Sequence, residues 1–260
     1  MSRATPLACL VTTAVLALGL AAPAQAASSI DYAALGDSYS SGVGASGQSG
    51  SCLRSNNAFG PLWAAKNSPA SFQFLACTGA TTDDVRNSQI PSLSAGADLV
   101  SITVGGNDVG FVSTLLTCWT TTDSGCVAKV NEAKAYAAST LGGKLDATYA
   151  AIKAKAPGAK VVVLSYPLIY ATPATGCTLS TAKQAAINDG ARTLDAKIQE
   201  RAEAAGFVYS EVRDEFSGHE VCSSTPYING VTLIPATNSY HPNNNGHLYG
   251  YLPAFTGSAG

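Results

Sequence analysis

Residues 159–166, AKVVVLSY, are apolar and β-branched with no polar residue alternating along the run. A strand of that kind cannot leave one face in water, so it must lie inside a sheet covered on both sides. Shorter apolar runs at 29–35 (SIDYAAL), 71–76 (SFQFLA), 98–104 (DLVSITV) and 207–212 (FVYSEV) supply four more strands. Helical stretches fall between them. FGPLWAAK (59–66) is one, and a second runs from about Val127 to Ala156, punctuated by Gly142-Gly143 and closed by Pro157-Gly158. A third spans 179–206, with Ser180 as its cap and one apolar face at 187, 191, 194 and 198. HPNNNGHLYGYLPAF begins a terminal helix with Pro242 in its first turn. The alternation predicts an α/β fold with a mainly parallel five-stranded sheet between helical layers.

The N-terminal 26 residues are set apart from this pattern. Arg3 is their one charge, the run from Leu7 to Ala22 is apolar, and Ala24-Gln25-Ala26 is a small-x-small cleavage site. The chain is therefore expected to comprise a secretory signal peptide, 1–26, and a single domain over 27–260, secreted to the cell exterior. Cys9 precedes most of the apolar run, which argues against a lipid anchor. With 15 basic and 17 acidic residues and no Lys/Arg cluster, the chain offers no phosphate-neutralising surface, and nucleic acid is set aside as a partner. Six cysteines follow the leader, Cys52, Cys77, Cys118, Cys126, Cys177 and Cys222. An even number in an exported chain argues for disulfides. Sequential pairing is favoured because each pair brackets a loop between predicted core elements. No C-x-x-C occurs and histidines number three, so neither metal nor other cofactor is expected.

In a parallel sheet, function gathers where loops leave the carboxyl ends of the strands. Two chemistries compete in the first such loop, ALGDSYSSGVGASG. Gly42, Gly44 and Gly47 spell the G-x-G-x-x-G of dinucleotide folds, but Gly42 lies seven residues past Leu35, and no acidic residue occurs between Asp37 and Asp83. Gly36-Asp37-Ser38, immediately after the strand, instead offers a serine at the sheet edge. Its hydroxyl needs a base, and only His219, His241 and His247 are available.

GDSYSSG resembles the first block of the GDSL, or SGNH, hydrolase family; CTGATT (77–82) resembles the second, GGND (105–108) the third and SYHPNNNGH (239–247) the fifth. The closer resemblance is to secreted actinomycete lipases and esterases of that family, including phospholipase A-type members, which also carry three disulfides. The resemblance implies a flavodoxin-like, three-layer α/β/α sandwich that cleaves carboxylic esters of lipids through an acyl-serine. It places the nucleophile at Ser38, the base at His241, and the oxyanion donors at the Ser38 and Gly79 backbone N–H groups and the Asn107 side chain. His219 is read as a surface or structural histidine, and His247 as lying on the terminal helix and pointing elsewhere.

The family's usual D-x-x-H has Asn238 in place of aspartate. A Ser38-His241 dyad is therefore expected, its imidazole steadied by a backbone carbonyl of Asn238 or Ser239, with the Asn238 amide oxygen or an acid distant in the chain as the alternatives. Asp37 is expected to bond backbone N–H groups of its loop. A free imidazole titrates near 6.5, so activity is expected to fall in acid. Leu115, Leu116 and Trp119, with Leu168, Ile169 and Tyr170, are candidates for an acyl groove. The expected partner is an ester substrate, with transient contact to lipid surfaces, for a monomer. A carbohydrate acetylesterase and a non-catalytic binding protein are the alternatives.

Overall fold

The computed structural model describes residues 1–2, 29–171 and 176–260; the expected leader, beyond its first two residues, lies outside them. Five strands, β1 (Asp31–Gly36), β2 (Ser71–Phe74), β3 (Leu99–Thr103), β4 (Lys160–Leu164) and β5 (Val208–Ser210), form one sheet in the order β2-β1-β3-β4-β5. Every pairing is parallel, with Tyr32 opposite both Phe72 and Leu99 and Val100 opposite Val161. Each crossover therefore carries helix: α1 (Ser38–Ser41) and α2 (Phe59–Asn67) after β1, α3 (Thr82–Asp84) after β2, then α4 (Phe111–Thr120), α5 (Asp123–Tyr136) and α6 (Gly142–Lys155) after β3. The helix α7 (Thr181–Ala204) precedes β5, and α8 (Arg213–Phe216) and α9 (Leu252–Ala259) complete the chain. All five residues of β3, and Val161 to Leu164 of β4, are buried, as the unalternating apolar pattern requires. Among the described residues no helix is long and apolar enough to cross a membrane.

One layer is made by α2 and α9, whose Trp63 and Phe255 ring-pack on Tyr32 of β1. Helices α5, α6 and α7 make the other, with Ile187, Leu194 and Ile198 of α7 buried on the expected face and Ser180 accepting from the Lys183 N–H as its cap. The long helix begins at Asp123 rather than Val127, because the Thr122 hydroxyl caps it at the Gly125 N–H, and passes Gly142-Gly143 through a π-helical turn at Ala137–Leu141. Helix α4 follows the loop after β3. Its leading residue, Gly110, supplies no capping side chain, and the Cys118–Cys126 disulfide ties it to α5. The other disulfides are Cys52–Cys77 and Cys177–Cys222, so the pairing is sequential. The terminal helix starts at residue 244 and runs through a π-helical turn, Gly246–Tyr251, into α9; Pro242 stays outside it, bridged to Ile228.

The chain leaves β1 toward β2 on one side, and the strand on β1's other side is β3. This reversal of strand order opens a crevice beyond the carboxyl ends of β1 and β3. The loops carrying Ser38 and Asn107 start there.

Candidate active site

Gly36 ends β1 with φ +121°, and a Cβ there would stand 2.3 Å from the Thr103 carbonyl oxygen. Only glycine lets β1 and β3 lie this close at the turn. The buried Gln89 amide holds that turn from behind, accepting from the Gly36 N–H and donating to the Gly36 carbonyl, both at 2.8 Å. Asp37 follows. Its carboxylate accepts from the Tyr39 N–H at 3.0 Å, the Thr103 hydroxyl at 2.7 Å and the Tyr166 hydroxyl, which in turn accepts from the Gly106 N–H. It thus fastens the exits of β1, β3 and β4, with one backbone N–H and two hydroxyls where backbone groups alone were expected. Burial raises its pKa to about 6 despite these donors.

Ser38 opens α1 just above this carboxylate. As a first-turn residue its backbone N–H has no intrahelical acceptor. Its Oγ lies 2.7 Å from Nε2 of His241, 203 residues later in the chain. On the far side of the ring, Nδ1 lies 2.9 Å from the Ser239 carbonyl oxygen. A carbonyl only accepts, so Nδ1 carries the proton and Nε2 is left as an acceptor facing the serine hydroxyl. The Asn238 amide takes no part. Its oxygen is 2.8 Å from Gln48 Nε2, and its carbonyl accepts the His241 backbone N–H, because the turn at Ala236–Asn238 carries the side chain away from the ring. Asn238→Ala is accordingly expected to retain at least about a tenth of wild-type turnover; a thousandfold drop in a folded protein would restore a side-chain triad.

The segment bearing His241 is fixed by short antiparallel pairing, with the Asn229 N–H bonding the His241 carbonyl and the Tyr240 N–H bonding the Asn229 carbonyl. Tyr240 adopts φ +60°, a costly conformation for a bulky residue. It is held there at both ends: Tyr39 donates to its carbonyl at 2.6 Å, and its hydroxyl meets Tyr170 and Trp119. Gly44 lies against this segment, where a Cβ would come 2.5 Å from the Pro242 carbonyl oxygen and 2.8 Å from the His241 Cβ. At Gly44 the dinucleotide-like pattern thus meets a packing requirement: the serine loop and the histidine segment touch.

The two remaining expected donors come from the loops after β2 and β3. Gly79 borders the cleft with φ +75°, and its N–H makes no hydrogen bond among the described residues. Asn107 gives one Nδ2 hydrogen to the Ala80 carbonyl at 3.0 Å and keeps the other. Asp108 accepts from the Thr82 N–H at 2.9 Å and its hydroxyl at 2.6 Å, so the two loops are laced together. The Cys52–Cys77 disulfide adds a covalent tie from the glycine-rich loop to the Gly79 turn.

Ser38, Gly79, Asn107 and His241 border one cleft of about 440 Å³, walled by Phe111, Leu115, Leu116 and Trp119 on one side and Val231 and Leu233 on the other. Ser38, Asn107, Phe111 and Leu115 also border a narrower apolar channel of about 60 Å³ running inward to Ile169, Ile187 and Leu194. Of the sequence candidates, Leu115, Leu116 and Trp119 line the cleft and Ile169 the channel, whereas Tyr170 is buried behind Tyr240 and Leu168 borders neither. Among the described residues no cluster of three or more His, Cys, Asp or Glu could hold a metal ion.

The other two histidines lie apart. His219 stacks on Tyr227 at 3.8 Å, with Nδ1 2.7 Å from the Thr225 carbonyl oxygen. His247 is buried beside Phe59 and Tyr251, and burial lowers its pKa to about 3. Tyr39, Tyr166 and Tyr240 had no sequence signal as supports of the site, since each acts through a partner 60 or more residues away.

Residues 34–248 match the GDSL-like lipase/acylhydrolase family. Lipase 1 of Streptomyces coelicolor is 47% identical over 259 residues, 97% of each chain. Among solved structures, the extracellular lipase of Streptomyces rimosus superposes with a TM-score of 0.85 at 46% identity, covering 88% of this chain and 99% of that one. Phospholipase A1 of Streptomyces albidoflavus NA297 superposes with a TM-score of 0.86 at 45% identity, covering 89% and 100%.

Proposed function

The chain belongs to the GDSL-like lipase/acylhydrolase family, and on that premise we propose that it is a secreted hydrolase of lipid carboxylic esters working through a Ser38-His241 dyad. The observation that carries this reading is the 2.7 Å approach of Ser38 Oγ to His241 Nε2 at the floor of an apolar cleft. As His241 Nε2 takes the hydroxyl proton, Ser38 Oγ bonds to the ester carbonyl carbon. The carbonyl oxygen becomes an oxyanion received by the Ser38 and Gly79 N–H groups and the free Asn107 hydrogen. Such preorganised donors act where charge develops in the transition state. His241 then returns the proton to the departing alcohol oxygen, leaving an acyl-serine; next it takes a proton from water as the water oxygen bonds to the acyl carbon, and gives that proton to Ser38 Oγ as the acid departs. The Ser239 carbonyl accepts from Nδ1–H in both the neutral ring and the imidazolium, and so fixes the ring's orientation throughout. The apolar walls suit acyl chains, and the glycerol ester of a phospholipid is within the class, in keeping with the phospholipase A1 likeness. Export is supported by the three disulfides, which persist outside the cell, and by likeness to an extracellular lipase.

A serine-directed phosphonate tests the reading. The mature protein is expected to gain one adduct, located by mass at Ser38, and to lose ester hydrolysis with it. No adduct, together with no acid released from acetyl, octanoyl or phospholipid esters, would leave a binding protein instead.

The pH profile follows from burial. Transfer of His241 out of water disfavours imidazolium and lowers its pKa to about 4, the Ser239 and Thr237 backbone bonds offsetting this only in part. The base works when neutral, so kcat/KM is expected to hold from neutrality down through pH 5 and to fall with a midpoint near 4. That places the acid limb well below the value expected for a free imidazole. A midpoint remaining near 6.5 would mean that the working ring is solvated or paired with an anion.

A further inference from the structure

The cleft has two lips, and both present apolar side chains to solvent. On α4, Val112 is 62% and Leu116 63% exposed. Across the opening, Val231 is 42%, Leu233 86% and Ile234 94% exposed. Large aliphatic side chains scattered singly on a surface need no explanation, but a group of them around one opening does. The second lip is built to hold them out. The Thr232 N–H bonds Ser239 Oγ at 3.0 Å, the Thr232 hydroxyl bonds the Pro235 carbonyl at 2.7 Å, and Ser239 Oγ donates to the Thr232 carbonyl at 3.2 Å. This closes the loop at its base, with Leu233 and Ile234 at its tip. The same Ser239 supplies the carbonyl that orients His241, so tip and catalytic ring share one rigid loop.

Charge narrows the partner. Neither 109–122 nor 225–240 contains a single Lys, Arg, Asp or Glu, although the whole chain has 32 such residues. A protein partner is commonly selected and oriented by complementary charge, which these lips cannot offer. An anionic membrane surface would likewise find no cation within either segment to attract it; Lys183, which bonds the Thr121 carbonyl at 2.6 Å, sits at the end of α4 away from Val112. A lipid surface without net charge asks only for apolar side chains that can leave water, and it is continuous with the cleft that would receive one of its molecules.

We propose that Val112 and Leu116 on one lip, with Val231, Leu233 and Ile234 on the other, form a docking face for neutral phospholipid surfaces, seating the cleft mouth directly on the lipid. The inference rests on the ester-hydrolase reading only in taking the lipid as substrate; docking itself can be measured without turnover.

The experiment uses sedimentation with phosphatidylcholine vesicles, in a Ser38→Ala background so that the lipid stays intact. Ile234→Ser and, separately, Leu233→Ser are each expected to weaken partition into the vesicles by about tenfold, the effect of withholding one large aliphatic side chain from an apolar phase. In the active protein, Ile234→Ser, which lies outside the cleft wall, is expected to slow hydrolysis of phosphatidylcholine vesicles while leaving a soluble nitrophenyl acetate unaffected. That soluble ester separates the two readings: if no ester is cleaved by any form, the hydrolase reading fails while vesicle partition still reports on docking. Absence of vesicle binding, or binding that both substitutions leave unchanged, would overturn the proposal. A dimer in light scattering that Ile234→Ser dissolves would overturn it in favour of a second copy of the chain as occupant.

Discussion

Ser38→Ala is expected to lower kcat on every ester substrate by about 10⁵–10⁶-fold, the scale seen when the nucleophile of a serine–histidine unit is removed. The substitution takes away only the hydroxyl, whose single side-chain partner among the described residues is His241 Nε2, and leaves the backbone N–H in place. The fold should therefore survive, with the melting temperature as the check. Because nucleophile and base act as a unit, His241→Ala should cost nearly as much, and the double variant should be no worse than either single one. Losses that multiplied in the double variant would show two groups working independently and would sink the dyad. Residual hydrolysis should persist above the uncatalysed rate, because the oxyanion donors and the cleft remain.

Asn107→Ala is expected to reduce kcat by about 10²–10³-fold with KM little changed, since the donor meets its partner fully only once the carbonyl oxygen has become an oxyanion. The side chain also holds the Ala80 carbonyl, so a stability loss of about 1 kcal/mol should accompany it. Asn107→Asp separates these effects. It keeps the shape but places an acceptor where a donor is needed, and turnover should fall at least as far as in the alanine variant. A large rise in KM with kcat preserved would instead make Asn107 a ground-state binding residue.

The sheet was legible because its strands are short apolar runs bounded by loops, and β4 announced its burial through the absence of polar alternation. The extent of helix α4 was not. Phe111–Thr120 is rich in threonine, has no capping side chain at Gly110, and draws support from Leu115 in the core and from the Cys118–Cys126 bond, which is tertiary information. Ser38, Gly79, Asn107 and His241 came from motifs that resemble the family's blocks, and the structure brings all four to one cleft. Their supports were not legible in this way, because Tyr39 finds the Tyr240 carbonyl 201 residues away and no local pattern encodes that meeting. The choice between Asn238 and Ser239 belonged to the same class: both lie within three residues of His241, and only the turn at Ala236–Asn238 decides which group faces the ring. The fall of the imidazole pKa was equally hidden, since it depends on what covers the ring once the chain has closed around it.

The proposed nucleophile belongs to the first strand's exit and its proposed base to the last segment before the closing helix. A chain emerging from the ribosome thus presents a serine hydroxyl long before anything can deprotonate it. On the proposed reading, the Ser38–His241 pair can form only when the C-terminal end seats against the glycine-rich loop at Gly44, so the last part of the chain to be made completes the site that the first strand begins.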